Sequence, residues 1–364
     1  MQNNDNLYGT RSASPAFAGA DPEEALRLGE KRSLRRTCTA IGIFVLIYYL
    51  TLQQTAGSLA DLVSSMRIAT EENQTALLFL IQTAACVFAP LLAAFFYKLI
   101  FRRKLSEGLT ESFVKPGVLA PLVLLGMGAA MIANNMAALF DSNISIFMLK
   151  NYAQQSTDTR GVPEMVLYVI STAVVPALAE EFAFRGVVMG ALRKYGDAFA
   201  IFASALLFGA MHGNTTQIVF AFVLGLIFAF TDCKANSIIP SVTIHFINNF
   251  YAVVEDILIS NSAFDEGTIQ LIRMGLILFF CTAGFVSYVF FAKTDSHFFR
   301  TANGDKNSFS STDILSFREK LRLFFTSAGV IISLCLFFAE TVYYLLPSEI
   351  RKTMTSAFSS VLPF

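Results

Sequence analysis

Apolar runs of eighteen residues or more recur along nearly the whole chain, and no other feature limits its fold so strongly. Nine spans can be marked, at about 38–53, 75–99, 117–140, 162–192, 198–212, 215–231, 237–257, 268–292 and 323–346. Lipid offers backbone N–H and C=O groups no partner, so a spanning segment must bond to itself, and runs of this length predict helices. The expected fold class is all-α, a polytopic membrane helix bundle of about eight to nine transmembrane helices. Composition agrees: 54% of residues are hydrophobic and only 15% charged, against about 25% charged in soluble domains.

Formal net charge is zero, so nothing points to a nucleic-acid partner. The five cysteines (Cys38, Cys86, Cys233, Cys281, Cys335) lie singly in or beside apolar segments and imply neither a metal pair nor a disulfide framework. Residues 1–36 read as a polar leader, disordered at its start. Asp21-Pro-Glu-Glu then opens a short amphipathic helix that ends in the basic cluster KRSLRR. Without a small-residue cleavage site, the apolar run that follows reads as a retained anchor. The remainder divides into N-terminal transmembrane helices (37–158), a central core (159–260) and C-terminal transmembrane helices with a basic loop (261–364).

Basic residues orient the spans. Lys31, Arg32, Arg35 and Arg36 precede the first, Lys98, Arg102, Arg103 and Lys104 follow the second, and Arg193 and Lys194 follow the fourth. Lys234 follows the sixth, and Arg300 to Arg322 separate the eighth from the ninth. All fall on one side if the N-terminus is cytoplasmic. No lipidation box or eukaryotic retention signal is evident, which favours a multi-pass protein of a bacterial plasma membrane.

Three charges lie in the middle of the fourth span: Glu180, Glu181 and Arg185, in PALAEEFAFRGVVMG. Each costs roughly 2.5–3.5 kcal/mol at a helix centre, so ionisable groups at this depth are read as functional. The fourth and fifth spans form a hairpin turning at KYGD, with Gly196 the breaker, Asp197 the N-cap and Pro176 a candidate kink. Glu180 and His212 lie equally far from that turn, about 24 Å at 1.5 Å per residue. His245 and Asn249 lie roughly 14–20 Å into the seventh span on the same arithmetic. Glu181–Arg185, Phe208–His212 and His245–Asn249 are each spaced i, i+4, so each pair lines one helix face. Asn134, Asn135 and Asn248 read as helix-to-helix bonds, and Gly186 with Gly190 as close packing.

EEFAFR, FGAMH and HFINN match EExxxR, FxxxH and HxxxN in order on successive spans. The chain thereby resembles, over about 160–260, the CPBP family of intramembrane proteases, which includes type II CAAX prenyl endopeptidases and bacterial Abi or bacteriocin-immunity proteins. The resemblance implies that Glu180 activates water and that Arg185 fixes Glu181. It further implies that His212 is a catalytic histidine and that His245 and Asn249 hold the oxyanion. The implied substrate is a membrane-associated or lipid-modified peptide or protein, met in the lipid bilayer.

Amide hydrolysis needs an activated water, a proton donor for the leaving amine and stabilisation of the oxyanion. Paired with Arg185, Glu181 stays ionised and leaves Glu180 free to cycle a proton. This scheme requires no cofactor. In the alternative, Glu180, His212 and His245 are three ligands of a zinc ion whose fourth position holds water. Two other classes share the pattern: a catalytically silent scaffold or immunity protein, and a proton-coupled transporter. No inverted repeat supports the transporter.

Overall fold

The computed structural model describes residues 22–70, 73–101, 113–146, 159, 161–213, 215–299, 314–346, 350, 351 and 353. The start of the leader and the basic stretches at 102–104 and 300–313 lie outside the described residues. Within them the chain is helical and carries no strand. We number the helices α1 (Pro22–Ser65), α2 (Gln74–Phe101), α3 (Pro116–Ile146), α4 (Val162–Tyr195) and α5 (Asp197–Ala210). There follow α6 (Thr215–Ala235), α7 (Ile239–Ser260), α8 (Glu266–Thr294), α9 (Phe317–Phe325) and α10 (Ala328–Leu345). Eight of these are long and apolar enough to cross a membrane.

Three sequence expectations need correction. The amphipathic helix expected in the leader does not stop at the basic cluster: α1 runs unbroken for 44 residues from Pro22. Nothing in KRSLRR breaks a helix, and neighbouring Glu30 and Leu34 are buried against the bundle. The fifth expected span is a helix of 14 residues, about 21 Å, shorter than the ~30 Å hydrocarbon core. The ninth divides at Thr326 and Ser327 into α9 and α10. Both hydroxyls bond back to carbonyls of α9, Ser327 to Leu323 at 2.6 Å and Thr326 to Arg322 at 2.7 Å, which closes that helix off.

Helix α1 packs against α2 and α10, α3 against α6 and α8, and α5 against α6. Two of these contacts depend on glycine because the backbones nearly touch. A Cβ on Gly42 of α1 would lie 2.2 Å from the Gly329 carbonyl carbon of α10, and one on Gly209 of α5 would lie 2.8 Å from the Ile218 carbonyl of α6. Small residues allow this approach where lipid supplies no hydrophobic drive between helices.

The turn between α4 and α5 forms at Gly196, whose φ of 109° suits glycine alone. Gly196 itself takes the N-cap position expected for Asp197. Asp197 is the first residue of α5, and its carboxylate accepts from Arg193 Nε at 3.1 Å. Because α4 and α5 pair from this turn, their polar residues enter the same interior, where Arg185 is among the largest fully buried side chains.

Candidate active site

Glu180 and Glu181 end a regular segment of α4 (Val175–Glu181), and Arg185 lies in the wider π-helical stretch Phe182–Met189 that follows. A second wide turn, Ile170–Val174, precedes Pro176. Proline has no N–H to give, and its ring crowds the carbonyl four residues back; a widened turn is one way for a helix to absorb it. That carbonyl belongs to Thr172, and Asn249 Nδ2 of α7 donates to it at 3.1 Å. Such turns occur often at functional sites.

Glu181 is fully buried. Its Oε1 accepts from His245 Nδ1 at 2.8 Å, and its Oε2 lies 3.0 Å from Arg185 Nε. The Nε–H does not point along the latter line, so charge rather than a formed hydrogen bond joins the pair. The guanidinium donates from Nη2 to the Gly225 carbonyl of α6 at 3.3 Å. It lies over two rings, 4.5 Å from the Phe208 centroid and 5.2 Å from that of Phe228. An ion pair removed from water is supported here by aromatic faces and one carbonyl.

Because the Glu181 carboxylate only accepts, Nδ1 of His245 must carry the proton, which leaves Nε2 directed towards Glu180. Nε2 stands 4.0 Å from Glu180 Oε2, too far for a direct hydrogen bond. The imidazole is stacked on Phe228 at 5.2 Å. The Glu180 side chain retains 16% of its exposure, and Glu181 retains none. Adjacent carboxylates thus have opposite surroundings: Glu181 is locked by a cation and an imidazole, and Glu180 is open.

His212 lies just beyond the end of α5 and donates from Nδ1 to its own Phe208 carbonyl at 2.8 Å, so its free nitrogen is Nε2. Among the described residues no hydrogen bond joins it to either carboxylate. It meets the group through Phe208, whose ring contacts His212 at 5.0 Å, His245 at 6.2 Å and the Arg185 guanidinium. Asn249 is also reached indirectly. One of its N–H groups is committed to Thr172, and its Oδ1 accepts from Asn248, which in turn accepts from Asn134. The pair implied as oxyanion donors therefore carries prior commitments: Nδ1–H of His245 on Glu181, and an Nδ2–H of Asn249 on Thr172.

Sequence reasoning missed a third acid. Asp232 of α6 is buried, and its two oxygens accept from Ser241 N at 2.9 Å and from Ser241 Oγ at 2.6 Å. Ser241 is in the first turn of α7, one turn before His245. The sixth apolar run, read as ending at Thr231, assigns Asp232 to a loop; continuation of α6 to Ala235 buries it instead. An acid directly abutting an apolar run was the available signal.

The zinc alternative asks that Glu180, His212 and His245 converge on one point. Among the described residues no three His, Cys, Asp or Glu side chains gather closely enough to share an ion. The donor set does not fit a metal in this arrangement, and no step below passes through one.

Residues 162–251 match the family model described as type II CAAX prenyl endopeptidase Rce1-like. This core is similar to the CPBP family. The matched residues carry all three CPBP motifs and about a quarter of the chain. The chain is also 26% identical over 157 residues to the Bacillus subtilis (strain 168) protein named "Putative membrane peptidase YdiL". That similarity covers 40% of this chain and 64% of the relative, so the chain spans less than two thirds of that protein. No solved structure matches the chain.

Proposed function

We propose that the protein is an intramembrane endopeptidase that hydrolyses a peptide bond of a membrane-associated or lipid-modified peptide or protein. The observation that carries this reading is the unequal environment of two adjacent carboxylates. Glu181 is enclosed by Arg185 and His245, whereas Glu180 is accessible and stands 4.0 Å from His245 Nε2. A water lying between Glu180 and Nε2 can hydrogen-bond to both.

In the proposed mechanism Glu180 takes a proton from that water as its oxygen bonds to the scissile carbonyl carbon. The carbonyl π electrons move to oxygen, forming the tetrahedral oxyanion. Glu180 then returns the proton to the amine nitrogen as the C–N bond breaks, giving a carboxylic acid and an amine. Glu181 and Arg185 take no proton. They hold His245 in place, Glu181 directly through the hydrogen bond from Nδ1 and Arg185 by its charge on Glu181. His212, its Nδ1 fixed on Phe208, offers Nε2 on the far side of the same ring.

We place the protein in a bacterial plasma membrane with its N-terminus cytoplasmic, on the support of the basic loops and of the bacillar relative. The test compares membrane proteomes of cells making the wild-type protein or Glu180→Ala. A membrane protein that accumulates uncut only with the variant is the expected result. Identical proteomes, with both proteins at equal abundance, would refute the reading.

A further inference from the structure

Tyr48 of α1 lies outside the matched core and outside all three motifs. It is fully buried, and its hydroxyl has no hydrogen-bond partner among the described residues. Buried tyrosine hydroxyls normally find one, and an idle donor in a dry interior is costly. Adjacent Tyr49 follows the rule, its hydroxyl accepting from Gln53 Nε2 at 2.9 Å. The Tyr48 ring packs edge-on against Phe184 at 6.1 Å, and Phe184 against Phe208 at 5.1 Å. Phe184 is four residues beyond Glu180 on α4. The Phe208 ring in turn contacts His212 and His245, so a chain of two rings connects the phenol to the site.

The orphaned hydroxyl is therefore carried by a side chain packed on α4 about one turn beyond Glu180, next to a site whose other donors are largely engaged. His212 Nδ1–H is held by Phe208, His245 Nδ1–H by Glu181, and one Asn249 N–H by Thr172. A phenol is a good donor to an oxyanion, remains protonated at neutral pH, and is held here by packing alone. We propose that Tyr48 is a catalytic residue whose hydroxyl hydrogen-bonds the scissile carbonyl oxygen of a bound peptide and strengthens that bond as the oxygen becomes anionic. The step transfers no proton from Tyr48. The proposal rests on the endopeptidase reading, and it brings α1 into the active site.

The decisive variant is Tyr48→Phe, with Tyr49→Phe as its control, each in lipid nanodiscs. Turnover is measured on the substrate found uncut in Glu180→Ala membranes, and thermal unfolding is followed without substrate. Tyr48→Phe should lower kcat about 100-fold with KM within twofold, the loss typical of one oxyanion donor. It should leave Tm unchanged or higher, because it removes a hydroxyl that had no partner. Tyr49→Phe should show the reverse, a lower Tm with kcat preserved. An unchanged kcat in Tyr48→Phe, with wild-type cleavage intact, overturns the inference and leaves the protease reading standing. A lower Tm in Tyr48→Phe overturns it with no substrate involved, since it shows that the hydroxyl is bonded in the resting protein. Failure of the wild type to cleave anything refutes the protease reading and this inference with it.

Discussion

Asn249 donates to the carbonyl of Thr172, the one that Pro176 cannot reach with an N–H of its own. A helix-breaking residue in the motif helix and a motif asparagine 73 residues later are thus parts of one contact. It joins α7, which carries His245, to the wide turn just before Glu180 and Glu181. Asn249 thus holds together two helices that carry the family motifs.

That contact predicts a coupling. Asn249→Ala should destabilise the protein by about 0.6–1.7 kcal/mol, the range of polar contacts between membrane helices. Pro176→Ala restores an N–H, so Asn249→Ala should cost less in the Pro176→Ala background. Unfolding of the four proteins in detergent gives the coupling energy directly. Strictly additive effects would show that the two residues do not share the Thr172 carbonyl.

The two glutamates should separate cleanly. Glu180→Gln should abolish turnover and leave stability near wild type, because Glu180 is accessible and forms no direct hydrogen bond with His245. Glu181→Gln should instead destabilise by about 3–5 kcal/mol, since it strands the Arg185 cation in the core. Pairing Glu181→Gln with Arg185→Met should recover much of the stability without recovering activity. Equal stability losses from the two single substitutions would contradict the asymmetry.

Much of this site could be read in the sequence because intramembrane charge is costly enough to be conspicuous. Glu180, Glu181, Arg185, His212, His245 and Asn249 all interrupt apolar runs, and Gly196 marks the turn between α4 and α5. What could not be read depends on contacts between distant segments. Phe228 is one of many phenylalanines in an apolar helix until α4 brings Arg185 beneath it. The wide turns of α4 conserve hydropathy and leave no mark on periodicity. Tyr48, in α1, is distinguished only by what its hydroxyl lacks. Helix ends were blurred for the same reason: the pattern registers apolar runs, whereas α1 and α6 continue into polar residues that tertiary packing covers.

Asp232 should behave as an anchor for α7. Its carboxylate accepts from both the N–H and the hydroxyl of Ser241 in the first turn of that helix, where N–H groups lack intrahelical partners. Asp232→Ala should therefore destabilise by about 1–3 kcal/mol and lower turnover, because Ser241 is one helical turn from His245. Asp232→Asn keeps an oxygen for the Ser241 N–H and should be much milder. The check is unfolding and turnover of both variants, and equal damage from Asn and Ala would reject anchoring by that hydrogen bond.

A surface contact offers a pH test away from the site. Glu319 of α9 accepts from Arg27 of α1 at 2.6 Å and closes a capping box with Ser316. The Arg27 hydrogen bond is the main cause holding its carboxyl down to about 2, from 4.5. A depressed folded pKa means that this contribution is present above the unfolded value and is lost as pH falls through the folded one. The chain has no tryptophan, so Phe317→Trp gives a sole reporter at the start of α9. Its emission should hold from neutral pH to about 4 and change between 4 and 2, and the change should vanish in Glu319→Gln. A transition of the same midpoint in both proteins would dissociate it from Glu319.

The last prediction separates the two mechanisms considered for the chain. A zinc site would need Glu180, His212 and His245 to offer free donors to one point. His212 and His245 each have Nδ1 committed, to Phe208 and Glu181, which leaves only their Nε2 atoms. A carboxylate behind a histidine can orient it for a metal, so the Glu181–His245 bond is compatible with either scheme. Convergence is the discriminating feature, and the described residues do not show it. Purified protein should therefore contain well under one equivalent of metal, and cleavage of the substrate trapped by Glu180→Ala should survive thorough chelation. Stoichiometric zinc, loss of turnover on chelation and recovery on adding zinc back would instead require His212 to swing towards Glu180 and His245 in the working enzyme.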